Sequence, residues 1–398
     1  MRVLVVNAGS SSLKISVLAE AAGTVATAEE LAPGQVAAAR AGQARPPVAP
    51  SHGWLTLARE SLAAPSGDWD EERMRELIAS YGPIDAVGHR VVHGGTEFTG
   101  PALISAEVRR RLEALADLAP LHQPKSLQGL DFMSKLLPGA PAVACFDTAF
   151  HASLPLAAAT YALPAPWRQR WQLRRYGFHG LSHSWAARRA AELMGRPTMT
   201  GLSVVTCHLG AGASLAAVQD GRSIDTTMGF TPLEGLVMAT RPGSVDPGLV
   251  LWLEEHVGMP ASELASTLEH RSGLVGLAGT PDMVEVLARE ARGDPEAVLA
   301  LGVYLHRLRA NVAAMAAALG RLDALVFTGG VGERSAAVRR RAAEGLGLLG
   351  VELSPTANEA AEPDAELSAA GALVRTFVVE AREDVEIALG VREVLTTK

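Results

Sequence analysis

Apolar residues are spaced along the chain in two rhythms. Short apolar runs at Val3 to Val6, Leu13 to Leu18, Ala86-Val87, Ala142 to Phe146, Ser203 to Cys207, Leu215 to Val218 and Ala324 to Thr328 read as strands. Between them, apolar positions recurring at helical spacing predict helices over 70–80, 106–118, 182–194, 247–257, 282–292 and 296–319, with a final helix from about Arg382. Strands alternating with helices indicate the α/β class. A helix is also expected near Leu55 to Leu62. It lies within a stretch, 19–66, whose Ala-rich segments and Arg45-Pro46-Pro47-Val48-Ala49-Pro50 otherwise read as a surface excursion.

The first two apolar runs enclose the polar turn Asn7 to Ser12 and so form a hairpin. A similar phrase recurs in the second half of the chain. Ser203 to Cys207 leads into His208-Leu209-Gly210-Ala211-Gly212-Ala213-Ser214, then Leu215 to Val218 and the turn pair Asp220-Gly221. Two copies of strand, glycine turn and strand indicate a duplicated domain. A length of 398 residues exceeds what one core usually supports, so two domains with a cleft between them are expected. The boundary is placed just after Phe146-Asp147-Thr148-Ala149-Phe150, giving domains of 1–150 and 151–382, with the helix at about 383–398 returning to the first. Pro155 and Pro164 punctuate the chain beyond that boundary.

Charge narrows the functional classes. The net charge is −7 and Lys and Arg are scattered, which argues against a nucleic-acid footprint and a polybasic membrane patch, so an anionic ligand must be held by local groups. Cys145 and Cys207 stand among apolar neighbours, as buried reduced thiols do. The apolar start, Met1 to Val6, is too short for a signal-peptide core and no stretch approaches a membrane span, so a soluble, cytoplasmic protein is expected.

Three glycine turns carry candidate chemistry. Asn7-Ala8-Gly9-Ser10-Ser11-Ser12-Leu13-Lys14 offers backbone N–H groups, hydroxyls and a lysine suited to a phosphate, although an ordinary hydrophilic turn has the same composition. Its Ser11-x-x-Lys14 spacing matches penicillin-binding serine enzymes, but that serine should open a helix and here the flanks are strand-like. Gly210-Ala211-Gly212-Ala213-Ser214 lacks the full dinucleotide fingerprint and precedes a strand. Thr328-Gly329-Gly330-Val331-Gly332-Glu333 follows a strand and leads to a helix expected at Ser335, a place for an anion or a close-packed nucleotide. The chain has no P-loop motif. His179 and His183 are four apart, a metal-binding spacing if helical, but Gly177 and Gly180 argue against a helix and zinc is not favoured. Arg90, within Gly88 to Gly95, and Arg241, within Met238 to Gly243, stand in apolar, glycine-bearing contexts, where a desolvated guanidinium needs an anionic partner.

Taken in order, these phrases resemble one family, the acetate kinases. Val3 to Lys14 resembles the family's first signature and His208 to Gly221 its second. Gly88 to Gly95, His122-Gln123-Pro124, Phe146 to His151, Tyr176 to His183, Pro232-Leu233-Glu234-Gly235, Arg241 with Asp246-Pro247, and Ala381 to Asp384 come in the family's order. Only residues 19–66 lie outside the match. The resemblance implies two duplicated actin-like, ribonuclease H-like domains of the sugar kinase, Hsp70 and actin superfamily, and direct, reversible, in-line transfer of the γ-phosphoryl group of ATP to acetate. It implies that Arg90 and Arg241 hold the carboxylate and the transferring group, that His179 hydrogen-bonds that group, and that Asp147 orients an arginine or the metal shell. Asn7 and Glu383 would organise Mg²⁺ or Mn²⁺. Ser10, Ser12, Lys14, His122, His208, Leu209, Gly210, Ala211 and Gly212 would line the phosphate path, with Gly329, Gly330, Val331 and Gly332 against adenosine and Asp282 near its ribose. Val92, Leu121, Phe178 and Pro232 would hold the acyl methyl. A homodimer is implied as well. Ala211 stands where the family usually has Asn, Val284 where Arg is usual, and Arg334 where Asn is common. A propionate or butyrate kinase differs only in acyl-pocket volume. A non-catalytic nucleotide-binding module of the same fold has no use for Arg90, His179 and Arg241 together.

Overall fold

The computed structural model describes residues 1–8, 12–21, 53–63, 69–119 and 123–397. The chain divides into two units, Met1–Ala149 with Arg382–Lys398, and Phe150–Ala381. Each unit is built on one six-stranded sheet.

In the first unit the strands are β1 (Arg2–Ala8), β2 (Ser12–Glu20), β3 (Trp54–Ala63), β4 (Ala86–Val91), β5 (Ala102–Leu103) and β6 (Ala142–Phe146). Their order is β3-β2-β1-β4-β6-β5. β1 is central, with Val3, Leu4, Val5 and Val6 all at most 3% exposed, which explains an unbroken apolar run rather than an alternating one. β1 pairs antiparallel with β2, placing Asn7 opposite Lys14, and parallel with β4. The helix expected near Leu55 to Leu62 is instead strand β3, antiparallel to β2 along its length. Leu55 and Leu57 are buried on the sheet, and pairing to β2 satisfies a ladder that a helix would leave open.

In the second unit the strands are β7 (Ser203–Leu209), β8 (Ala213–Gln219), β9 (Arg222–Thr226), β10 (Ala324–Thr328), β11 (Ala365–Glu366) and β12 (Arg375–Val378). The order β11-β12-β10-β7-β8-β9, read from the other edge, repeats that of the first sheet strand for strand. β7 pairs antiparallel with β8 and parallel with β10, as β1 does with β2 and β4. The β8–β9 turn is Asp220-Gly221, with φ of 52° and 79°, the paired positive angles that a two-residue hairpin turn needs.

The longest described helix, Pro295–Leu319, starts at Asp294, whose carboxylate accepts from the Glu296 and Ala297 N–H groups, and stops at Gly320 with φ 73°. Its buried stripe, Leu301, Tyr304, Leu305, Leu308, Val312 and Met315, packs over β8 and fixes the back of the second sheet. Among the described residues no helix is long and apolar enough to cross a membrane.

Candidate active site

The first cluster forms where β1, β4 and β6 end together in the first unit. β4 carries Arg90, and Asp147 directly follows β6. Arg90 Nε donates to Asp147 Oδ1 at 2.8 Å and Nη2 to Oδ2 at 2.6 Å, a bidentate pair that fixes the guanidinium plane. Its remaining nitrogen, Nη1, lies 3.4 Å from Asn7 Oδ1 and 3.4 Å from Glu383 Oε2. These two contacts are long and hold Nη1 less firmly than Asp147 holds Nε and Nη2. Glu383 opens the helix Glu383–Thr396, and this helix approaches β4 closely because residue 88 is glycine: a Cβ there would lie 2.4 Å from Ile387 Cγ2 and 2.9 Å from Val391 Cγ2.

Burial and neighbouring charge set the electrostatics. Desolvation pulls the Arg90 guanidinium's pKa down, but Asp147 and Glu383 outweigh it and hold the pKa above its usual value. Burial pushes the Glu383 carboxyl up; Arg90 opposes the shift, Asp147 and Asp384 add to it, and Lys14 opposes it more weakly. The structure thus gathers Asn7, Arg90, Asp147 and Glu383, with Asp147 placed as the group that orients the arginine. Among the described residues no group of three or more His, Cys, Asp or Glu is placed to hold a metal by itself.

The second cluster lies around the β7–β8 turn. Although Gly177 and Gly180 argue against it in sequence, the helix Gly180–Leu193 begins immediately after His179. His179 sits just outside it at φ 56°, ψ 24°, and Gly177 at φ 73° makes the entry turn, so the glycines bring the chain into a helix rather than excluding one. His183 is therefore helical and fully buried, with Nδ1 2.7 Å from Thr206 Oγ1 and Nε2 2.8 Å from Ser214 Oγ. His179 Nδ1 lies 2.9 Å from the same Ser214 Oγ. His208 stacks on His179 at 4.4 Å between ring centroids, and its Nδ1 is 2.7 Å from Ser182 Oγ.

Arg241 joins this group through the glycine turn. A Cβ on Gly212 would lie 2.9 Å from Arg241 Nη2 and 3.3 Å from His179 Nε2, so the turn admits both side chains only because residue 212 has none. Arg241 Nη1 donates to Pro232 O at 2.8 Å. Burial holds its pKa below the usual value, with Glu269 opposing weakly, and among the described residues no carboxylate comes within ion-pair distance of it. A desolvated guanidinium without a carboxylate is an anion receptor.

Pro232 belongs to a segment braced by Glu234, which accepts from Tyr161 Oη at 2.6 Å and pairs with Arg175 at 2.7 Å. Phe178 is 1% exposed, and its carbonyl oxygen lies 3.0 Å from His151 Nε2. Val92 is half-buried in the first unit, whereas Phe178 and Pro232 belong to the second. Ser10, Leu121 and His122 lie outside the described residues, as does the Ser12 side chain, and Lys14 is exposed.

The third glycine turn is already helical. The helix starts at Gly329, not at Ser335, and runs Gly329–Arg334, with Ser335 capping a second helix, Ala336–Glu344. Gly329 has φ 77°, and a Cβ there would lie 2.8 Å from Leu209 O, so β10 and the end of β7 touch backbone to backbone. Gly332 also faces Leu209, while Arg334 folds back so that Nε donates to Gly330 O at 3.2 Å. The two second-unit glycine turns, Leu209 to Gly212 and Gly329 to Gly332, are thereby neighbours. Glu333, which sequence reasoning misses, accepts from Gly329 N and Ala381 N at 3.0 Å each. Asp282 caps the helix Met283–Glu290 by accepting from Val284 N at 2.9 Å, and Val284 is 73% exposed. Sequence reasoning misses Ser214, Thr206 and Ser182 as well, because a hydroxyl in a strand or helix carries no spacing signal of its own.

Two sheets of identical strand order, each with an antiparallel hairpin formed by its first two strands, define a duplicated actin-like α/β protein. The chain belongs to the acetokinase family, whose model matches residues 2–389. It is 44% identical to the acetate kinase of Synechococcus sp. (strain JA-2-3B'a(2-13)), over 99% of each chain. It is also 44% identical to that of Leifsonia xyli subsp. xyli (strain CTCB07), over 97% of each. Among solved structures it resembles an acetate kinase from Porphyromonas gingivalis, with TM-score 0.82, 32% identity and 99% of each chain covered. A propionate kinase from Francisella tularensis subsp. tularensis SCHU S4 is equally similar, with TM-score 0.82, 32% identity and 98% coverage.

Proposed function

We propose that this chain transfers the γ-phosphoryl group of ATP to the carboxylate of acetate, giving acetyl phosphate and ADP in a reversible, in-line step. The observation that carries the reading is Arg241, half-buried, without a carboxylate partner among the described residues and set against the glycine turn and His179. A carboxylate oxygen attacks phosphorus, the bond from phosphorus to the ADP oxygen breaks, and no general base is needed because acetate is already an anion. Catalysis then consists of aligning two anions and neutralising the planar group between them.

Arg90, its plane fixed by Asp147, offers Nη1 to the carboxylate or the transferring group; Arg241 and His179 serve the phosphoryl oxygens. Leu209 to Gly212 serves the phosphates, and Gly329 to Gly332 packs against the nucleoside. The family's cation fits the first cluster in donor chemistry: Asn7 Oδ1 and Glu383 Oε2 are hard oxygen donors, each 3.4 Å from Arg90 Nη1. Asn7 and Glu383 would hold it, with most of its shell left to phosphate and water. Bound Mg²⁺ or Mn²⁺ would neutralise phosphate charge during transfer.

Acetate is favoured over propionate on the family resemblance, which implies that Val92, Leu121, Phe178 and Pro232 hold the acyl methyl. A homodimer completes the reading, supported by the helix Pro247–Glu255, which buries no residue and exposes Leu249, Leu251 and Trp252 by 50% or more. The test is an acyl-hydroxamate assay with ATP against formate, acetate, propionate and butyrate. Acetate should give the highest kcat/KM; turnover with none of the four would overturn the reading.

A further inference from the structure

Ser214 Oγ stands between two imidazoles, 2.9 Å from His179 Nδ1 and 2.8 Å from His183 Nε2. A hydroxyl has one proton, and the two rings are the partners of this one among the described residues, so it donates to one ring and accepts from the other. The direction of this chain fixes where the His179 proton sits. His183 is fully buried between Thr206 and Ser214, and burial, with His151 and His208 nearby, holds it neutral with one N–H to place. If that proton were on Nδ1, Thr206 would have to turn its own proton toward Ala216 O at 3.5 Å, a contact at the limit of a hydrogen bond. With the proton on Nε2, Thr206 donates instead to His183 Nδ1 at 2.7 Å. The second arrangement makes the better bonds throughout.

We infer that Thr206, His183 and Ser214 form a donor relay that holds His179 as a neutral imidazole with its proton on Nε2, the nitrogen facing the Gly212 turn and Arg241. Thr206 donates to His183, His183 to Ser214 and Ser214 to His179 Nδ1, so His179 meets an anion as a donor without taking a proton from solvent. The inference rests on the reading that His179 hydrogen-bonds the transferring group. Thr206, His183 and Ser214 are positioning residues, and none need touch substrate. Among the described residues, the titratable and charged groups near His179 include His183 on the helix it precedes, His208 on β7 and Arg241 from the segment packed on the turn. Protonating His179 Nδ1 would leave the Ser214 proton without an acceptor among the described residues or force the His183 proton onto Nδ1, so the relay also resists the imidazolium.

Nitrogen-15 correlation spectra of the full-length enzyme, with His179 assigned through His179→Gln, read the tautomer directly. The expected result is an unprotonated Nδ1 and a protonated Nε2 at about pH 7.5, well above the ordinary imidazole pKa; a protonated Nδ1 overturns the relay whatever the kinetics. Ser214→Ala should lower kcat about tenfold at about pH 8, the effect of one lost hydrogen bond of about 1.4 kcal/mol. It should also give kcat a new dependence on pH near the ordinary imidazole value of about 6.5, with the loss shrinking toward about pH 6. Ser214→Thr keeps the hydroxyl and should keep the wild-type profile. An unchanged Ser214→Ala profile sinks the relay. A wild-type kcat in His179→Gln would instead sink the role of His179, a separate failure. Should Ser214→Ala not fold, the wild-type spectrum still decides.

Discussion

Two arginines that do opposite things with their charge are proposed to carry the chemistry at the scale of single residues. Arg90 is paired with Asp147 and oriented by it, whereas Arg241 is desolvated with only a carbonyl oxygen as its hydrogen-bond partner among the described residues. Replacing either with Ala should lower kcat by about 10³ to 10⁵, the range for arginines that stabilise phosphoryl transfer. Steady-state kinetics check this, since a change confined to KM would report uniform binding instead. Asp147→Asn should fall between wild type and Arg90→Ala, because the amide keeps one acceptor but loses the bidentate charge. Val92→Ala should raise kcat/KM for propionate relative to acetate by about 10-fold, as one accommodated methylene is worth ~1 to 3 kcal/mol; an unchanged ratio would remove Val92 from the acyl site. Both arginines stand out in the sequence by their apolar, glycine-bearing contexts, and each is half-buried in the fold. The hydroxyls of Ser214 and Thr206 do not stand out, since their role depends on which imidazoles the fold brings to them.

Among the elements, the glycine turns show where sequence reading succeeds and where it stops. The repeated hairpins are visible because each is local: a strand, a turn and a returning strand. β3 reads as a helix because Leu55 to Leu62 has no strict alternation, and its strand state comes from pairing with the distant β2. The helix at Gly329 is expected too late in the chain because its glycines read as loop, while their purpose is backbone contact with Leu209. Gly329→Ala puts a Cβ 2.8 Å from Leu209 O at φ 77° and should destabilise the protein by roughly 2 to 4 kcal/mol, measured by urea unfolding. A loss below about 0.5 kcal/mol, the size of an ordinary surface change, would show that β7 and β10 do not meet there as described.

Across the whole molecule, one strand order is used twice, and both candidate clusters grow from strand ends, those of β1, β4 and β6 in one unit and of β7 in the other. The cost of the buried histidines also belongs to this scale. Burial lowers His89 and His93 to about 4, from an unfolded value near 6.5. The folded form therefore binds fewer protons between those values, so stability is complete above about pH 6.5 and falls as pH drops toward about 4, by roughly 3 kcal/mol per histidine at the end of that window. Thermal melts from about pH 7.5 to about 4.5 should show that fall, and His89→Gln should flatten part of it; an identical slope in the variant would mean that His89 is not titrating on unfolding. The central claim is phosphoryl transfer to a carboxylate, and phosphorus-31 NMR of ATP, Mg²⁺ and acetate with the enzyme tests it most directly. The predicted result is an acyl phosphate signal growing one-for-one with ADP in the wild type and essentially absent with Arg241→Ala. ADP accompanied by inorganic phosphate alone, or ATP left unconsumed with every short acid supplied, would contradict it.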